Sequence, residues 1–488
     1  MKKGHVIILV VMMVCLLTLA GSGIFVASVL NAQEAAAGEE ETEISYDTFA
    51  AWTKIGVFET VPVMKGENIK IGEAADYGSR NYMIDVTGST VEDYKNYLDA
   101  LADAGFKKHS DNGEDAMEGY AYSAAFTKDN ITLVVSHMIH DDQTYISATK
   151  NLELSDHMIY KEEYMDGVTE GAKTKVHLFQ LANNGACIII QLKNGHFVLH
   201  DAGNDFDGMY LIDYLEELTP GDEKPVIEAA FISHPHADHY GGLSKLASDY
   251  ADRVILDGIY FHYPPAKMIQ SETANSSIQC QMLNTMFMGQ NGKRAGFYRP
   301  EYGQRYYFCD VVIDVSMTTA QMSPEAYYNA ADVNDTSCFF MNYIDGQKML
   351  VGGDSSHGGN RTLMNMFDKS YLEMDVFVAL HHGMNVYDYF TEYISAKTIL
   401  YPCFRTGSLY SAKYAHFARE EENALLQERA EEAFSHDEGT VVLTFPYKVG
   451  TAKRMPNCDW RYHNGMPPER TTTNWGWEWD GLNYYYNK

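Results

Sequence analysis

Basic residues are scarce in this chain. Its 488 residues carry 37 Lys+Arg against 67 Asp+Glu, a formal net charge of -30. A surface this acidic repels phosphate backbones at long range, which argues against a nucleic-acid scaffold, and no stable nucleic-acid complex is expected. An enzyme that offsets the repulsion locally with metal ions is not excluded. Cysteine is sparse too: Cys15, Cys187, Cys280, Cys309, Cys338, Cys403 and Cys458, with no CxxC and no short paired spacing. That excludes a zinc ribbon and a disulfide-dense miniprotein. Cys187 and Cys338 lie in apolar runs and read as buried thiols. What is abundant is apolar: 45% hydrophobic and 13% aromatic residues, which excludes wholesale disorder. The length suits two domains better than one.

Charge is missing altogether from Val6 to Leu30, just after Lys2 and Lys3. A helix of that length, at about 1.5 Å per residue, spans a bilayer core of about 30 Å. The two lysines favour a cytoplasmic N-terminus, which places the rest outside the cell. Residues 1–31 are thus expected to be a single transmembrane anchor at the cell membrane. Alternatively they are a signal peptide cleaved near Ala35-Ala36-Ala37, giving a secreted protein. Residues 32–44 read as an acidic, solvated linker.

Residues 45–155 read as a small α+β domain with no reactive cluster. Tyr82 to Val86 alternates like a strand. Thr90 then caps a helix, with Asp93 three residues on as an imperfect capping box. Val91, Tyr94, Leu98 and Leu101 form one apolar stripe, and Gly105 ends it. Tyr120 to Thr127, Ile131 to His137 and Tyr145 to Ala148 add strands between turn residues. Such a domain binds a substrate or partner, or it is a spacer holding the remainder off the membrane. His137 and His140 are expected to be non-ligands, since a strand separates their side chains.

The texture changes near residue 172. Val176 to Leu181, Ala186 to Leu192 and Phe197 to His200 are runs suited to buried strands, and a helix is expected over Gly208 to Leu218. Val226 to Ile232 is a further strand. It leads directly into Ser233-His234-Pro235-His236-Ala237-Asp238-His239-Tyr240-Gly241-Gly242. Three imidazoles and a carboxylate fall within six residues here, at a strand end and before a Gly-Gly expected to open a helix. Zinc, manganese and iron accept these ligand types. In an extended piece His234 and His236 point the same way and grip one ion. The turn at Ala237 redirects Asp238 and His239 to a second.

This H-x-H-x-D-H resembles the signature of the metallo-β-lactamase fold. The resemblance extends to an Asp after an early strand (Asp201 in Phe197-Val198-Leu199-His200-Asp201-Ala202-Gly203). It includes an acid at a later strand end (Asp354, after Met349-Leu350-Val351-Gly352-Gly353) and a late His in Ala379-Leu380-His381-His382-Gly383. The order matches, over about residues 172–447. The pattern looks most like the branch that includes the hydrolase domain of the DNA-uptake protein ComEC and phosphorylcholine esterases. The implied fold is an αββα sandwich over residues 172–450, with two mixed sheets face to face, helices outside and the site at one edge. Gly439 to Phe445 fits a closing strand. Ala418 to Phe434 agrees with an outer helix, because Leu426, Ala430 and Phe434 recur at helical spacing.

The implied cofactors are two divalent ions, zinc first and manganese or iron as alternatives. His234 and His236 hold the first; Asp238, His239 and His382 hold the second. Asp354 has two oxygens with which to bridge them, and the glycines before it let backbone come close. Water between two such ions loses its proton near neutral pH and becomes the nucleophile, which makes Asp238 and Asp354 the catalytic carboxylates. Asp201 reads as the group that orients a ligand imidazole. His-Gly order favours His382 over His381 as ligand and leaves His381 packed or facing substrate. His357, three residues after Asp354, reads as a rim residue or an exposed loop His.

One part of the family pattern is absent. Between Lys267 and Ser356 there is no histidine, where a further ligand is usual. An oxygen from Asn334 or Asp335 is positioned to replace it. His262 reads as core or loop lining. The tail, residues 451–488, is rich in Trp and Tyr; it stacks on glycans or packs as an irregular cap. The whole reads as an exported metal-dependent hydrolase of a small-molecule or cell-envelope substrate, a phosphodiester first. The alternatives are a lactone, thioester or amide hydrolase, or a non-catalytic cell-surface binding protein.

Overall fold

The computed structural model describes residues 56–76, 81–181, 185–264, 271–322, 333–384, 387–402, 420–436, 439–455, 477–479 and 484–486. The apolar run 6–30, the linker 32–44 and most of the tail lie outside them. Among the described residues no helix is long and apolar enough to cross a membrane.

The N-terminal part is an antiparallel six-stranded sheet. Its order is Lys70–Asp76, Asn81–Thr87, Gln143–Lys150, Ile131–Met138, Ala121–Lys128, Lys107–Asp111. The two edge strands escape the sequence pattern. Lys-Lys-His-Ser-Asp has the charge that protects an edge rather than the alternation that marks a buried strand. Helix Val91–Asp103 packs on this sheet through Tyr94, whose ring stacks 5.7 Å from His137. Its capping box is complete: Asp93 N donates to Thr90 Oγ1 (3.1 Å) and Thr90 N to Asp93 Oδ2 (2.9 Å).

The remainder is two facing mixed sheets. The first runs Gly296–Tyr298, Gly258–Phe261, Val226–Ile232, Phe197–His200, Ile188–Gln191, Lys175–Leu178, Val441–Thr444, Lys453–Arg454, with Ile255–Leu256 also beside Val226–Ile232. The second runs Arg305–Phe308, Val311–Met317, Phe339–Ile344, Gln347–Val351, Glu373–Val378, Ser395–Tyr401, Glu432–Ser435. Period-two alternation divides the side chains. Val198, Ala229 and Phe231 meet Phe308, Ile313, Phe340 and Val376 between the sheets, with Phe231 and Phe340 rings 5.0 Å apart. Leu199, Ala230 and Ile232 face the other way and join a cluster with Leu211, Leu215, Leu243 and Leu246 of the helices Gly208–Leu218 and Ala237–Asp249. This is a helix–sheet–sheet–helix sandwich.

Two local expectations fail. The stretch 418–434 is not one helix: a helix covers Glu420–Arg429, and Phe434 lies in a strand opposite Leu400, where it extends the second sheet. Gly241-Gly242 does not open a helix either, since that helix begins at Ala237. Those glycines mark close approach. A Cβ on Gly242 would lie 2.0 Å from the Ala202 carbonyl oxygen, and one on Gly241 would lie 2.5 Å from Asp205 N.

Candidate metal centre

Strand ends from both sheets deliver the site. Phe197–His200 and Val226–Ile232 run parallel, so Asp201 and Ser233-His234 emerge side by side. Gln347–Val351 and Glu373–Val378 run parallel in the facing sheet and bring Asp354 next to His381-His382. Backbone bonds tie the ends together: Cys338 N donates to Ser233 O (3.1 Å) and His381 N to Gly353 O (3.1 Å). Gly353, at φ +53°, lets the two sheets touch here; a Cβ on it would stand 2.5 Å from Ser233 Oγ.

Two candidate ligand groups result. His234, His236 and Asp354 offer one atom each within 4.8 Å of one another, and so do Asp238, His239, Asp354 and His382. Asp354 belongs to both. Its Oδ1 is 3.1 Å from His239 Nε2. Its Oδ2 is 3.4 Å from His382 Nε2 and 3.9 Å from His234 Nε2. Asp238 Oδ2 closes the second group at 3.2 Å from His382 Nε2. His236 is the N-cap residue of helix Ala237–Asp249, which puts Asp238 and His239 in its first turn.

The imidazoles are oriented from behind. Asp201 Oδ2 accepts from His239 Nδ1 (2.7 Å) and from Ser233 Oγ (2.8 Å), and its Oδ1 accepts from Ser233 N (2.8 Å). Because Ser233 Oγ donates to Asp201, it accepts from His234 Nδ1 at 3.0 Å. His382 Nδ1 donates to the Pro402 carbonyl (3.1 Å). Each bond puts the ring proton on Nδ1 and turns a bare Nε2 inward. Ser233 is a site residue that the spacing argument missed. So is Ser337, whose Oγ accepts from Asp354 N at 3.1 Å.

The residues present fit divalent ions. His234 is fully buried, and among the described residues its Nε2 has no hydrogen-bond partner, a cost that a coordinated cation removes. The electrostatics ask for positive charge at the same point. Burial opposes protonation of His239, but Asp354, Asp201 and Asp238 outweigh it and hold its pKa well above the ordinary value. His382 is pushed up to about 9 in the same way, burial being overcome by Asp354 and Asp238. Burial would raise the Asp354 carboxyl, yet His239, His382 and His381 hold it well below the usual range. His234, by contrast, is driven down by burial and by His239, so its Nε2 keeps a lone pair.

His381 and His382 have φ of +49° and +57°, two consecutive non-glycine residues in the left-handed region. Such backbone cost collects at functional sites. His381 Nε2 lies 3.6 Å from Asp354 Oδ2 and 3.5 Å from Asn334 Nδ2. Asn334 therefore stands beside the site through His381. Asp335 serves elsewhere, accepting from Ser356 N (3.0 Å) and Gly359 N (3.2 Å) at the start of helix His357–Met366; it belongs to neither ligand group. His357 is exposed, and its Nδ1 is 2.8 Å from Tyr389 OH. His262 is buried on the Pro300 carbonyl and Arg299.

Residues 182–383 match the family model described as the metallo-beta-lactamase superfamily. No curated protein matches the chain. Among solved structures, the metallo-beta-lactamase fold protein YhfI from Bacillus subtilis is 13% identical over 54% of this chain and 95% of its own, with a TM-score of 0.33. Zn(2+)-bound PqqB from Methylobacterium extorquens is 10% identical over 46% and 71%, with a TM-score of 0.27. A metallo-beta-lactamase with a HARLDQ motif from Cronobacter sakazakii is 14% identical over 44% and 79%, with a TM-score of 0.25. The matched stretch contains Asp201, Ser233 and both ligand groups. The stretch of this chain that builds the site is similar to the metallo-beta-lactamase superfamily.

Proposed function

We propose that this chain is an exported hydrolase with a dinuclear metal centre, and that its substrate is a phosphodiester with a small or zwitterionic head group. One observation carries the hydrolytic reading: Asp354 is shared by two groups of possible ligands, with His234 and His236 in one and Asp238, His239 and His382 in the other. Ions bound there supply Lewis acidity to the bond under attack and to the attacking water. His234, His236 and Asp354 would hold one ion; Asp238, His239, His382 and Asp354 would hold the other.

The chain's own groups do the rest. Asp201 and Ser233 lock the Nδ1 protons of His239 and His234, so the cradle is set before substrate arrives. Asp238 is about a third exposed, in contrast to the buried Asp354, and forms the open side of the second group. Substrate enters past it, with His381 at the rim, its side chain 22% exposed.

The phosphodiester is supported by the likeness of the motif series to the branch holding the ComEC hydrolase domain and phosphorylcholine esterases. The net charge of -30 supports a small head group over a long polyanion. Export is supported by Lys2 and Lys3 ahead of the apolar run 6–30. The test is a panel of chromogenic phosphodiester, phosphomonoester, lactone, thioester and β-lactam substrates on zinc-, manganese- and iron-loaded protein. Turnover of the phosphodiester above the others is expected. Turnover confined to another ester replaces the substrate, and protein that binds no metal and turns over nothing is a surface binding protein.

A further inference from the structure

Beside the ligand groups lies an aromatic cluster that the hydrolytic reading does not use. His357 stacks on Tyr387 with centroids 3.6 Å apart and planes at 21°. Tyr387 and Tyr389 are 5.5 Å apart and nearly parallel, at 8°. His357 also lies parallel to Tyr389, at 5.8 Å and 18°, and its Nδ1 meets the Tyr389 hydroxyl at 2.8 Å. The Arg361 guanidinium sits over the Tyr389 ring at 5.5 Å. Tyr387 is buried in the same core as the stacked Phe367 and Tyr371, whereas Tyr389 is half-buried and His357 and Arg361 are exposed.

The cluster grows from the same strand ends as the metal centre. His357 follows Asp354 by three residues, so their Cα atoms are at most about 11 Å apart. Tyr387 and Tyr389 follow His382 in the loop beyond the second sheet and in the helix Asp388–Thr391. Between the two arms, Asp335 grips Ser356 N and Gly359 N, while its neighbour Asn334 touches His381. Asn334 and Asp335 thus tie His381 to the start of the helix that carries His357.

We infer that His357, Tyr389 and Arg361, backed by the buried Tyr387, form a stacking platform that takes a planar aromatic or heteroaromatic group of the substrate and fixes its orientation at the metal centre. This rests on the reading of the centre as hydrolytic. Parallel rings present one flat apolar direction to a flat ligand. Arg361 adds positive charge at the rim of a strongly acidic protein, where an anionic ester otherwise meets carboxylates. The platform therefore selects anionic esters that carry a ring over those that carry only alkyl groups. Its residues bind and orient, and take no part in bond cleavage.

The test compares phenylphosphonate with methylphosphonate, which share a charged head and differ in the ring. Both are titrated calorimetrically into zinc-loaded full-length chain. Phenylphosphonate is expected to bind about tenfold tighter, the scale of one stacked ring. His357→Ala should reduce that preference to about twofold or less and leave methylphosphonate unchanged; His357→Phe should restore it. Equal affinities in the wild type, no binding of either, or a preference that survives His357→Ala overturns the platform. A ring preference in a protein that cleaves no phosphodiester keeps the platform and removes the substrate reading. Phosphodiester turnover without a ring preference does the reverse.

Discussion

Asp201 shows how one carboxylate governs two imidazoles. It binds His239 directly and reaches His234 through Ser233. Its φ of +57° is left-handed, a region that asparagine tolerates better than other side chains. Asp201→Asn should therefore keep the backbone and lose the charge that orients His239. Affinity for the ion held by Asp238, His239 and His382 should fall by about 10–100-fold, as read by competition with a chromogenic chelator. Unchanged affinity would reduce Asp201 to a turn residue. Asp354→Asn acts on both ions, so metal content by elemental analysis should fall below one ion per chain and turnover should vanish. The cluster of these residues was legible in the sequence because a strand end places neighbours in chain order around one point. Ser337 was not, because its bond to Asp354 joins separate strands of a hairpin. Nor were the rings of Tyr387 and Tyr389, whose spacing resembles any aromatic loop.

Elements carry the site only where backbones come unusually close. Helix Ala237–Asp249 presents Asp238 and His239 because Gly241 and Gly242 let it lie against the loop after Phe197–His200. Gly242→Ala would force a Cβ into the Ala202 carbonyl. The variant should lose about 1–3 kcal/mol by urea denaturation and should bind metal more weakly. Wild-type stability would mean that the helix can shift without cost. Asp335 acts on an element in another way, as a carboxylate capping the N-terminus of helix His357–Met366 from outside the helix. Asp335→Ala should cost about 1 kcal/mol of stability and leave metal affinity near wild type. A fall in metal affinity matching that of Asp201→Asn would instead make Asp335 a ligand. The sequence placed the strands around the site well, since buried β-branched runs such as Val226–Ile232 have few alternatives. It failed at 418–434, where helical spacing of apolar residues continues by chance into the strand Glu432–Ser435.

At the scale of the whole molecule the six-stranded sheet and the sandwich share a core. Met83, Met117, Tyr120 and Met138 join the same apolar cluster as Tyr302, Met317, Phe367 and Tyr371. Polar bonds cross as well: Met117 N donates to Asp314 Oδ2 (3.0 Å) and Ser147 Oγ to Glu301 Oε1 (2.7 Å). Texture alone separates residues 45–155 from 172–450, because contacts over nearly two hundred residues leave no local pattern. Each part also holds a histidine buried in neutral form. His137, on the six-stranded sheet beside Thr144, is lowered to about 4, by burial first. His177, on the first sheet of the sandwich beside Tyr214, is lowered to about 3, again by burial. In the unfolded chain both titrate near 6.5. Between those values the unfolded state binds protons that the native state refuses, so stability rises with pH there. The contribution is fully present above about 6.5 and is lost as pH falls towards 4 and then 3, on the order of 3–5 kcal/mol per group. Metal release at low pH would add to the effect, so the measurement belongs on chelator-treated protein, by urea denaturation at half-unit steps from pH 7.5 to 4. His177→Gln keeps a polar partner for the Tyr214 hydroxyl and cannot take up the proton. Its stability curve should be visibly flatter below pH 6.5 than that of the wild type, whatever its absolute stability. A curve parallel to wild type would show that His177 titrates normally in the folded protein.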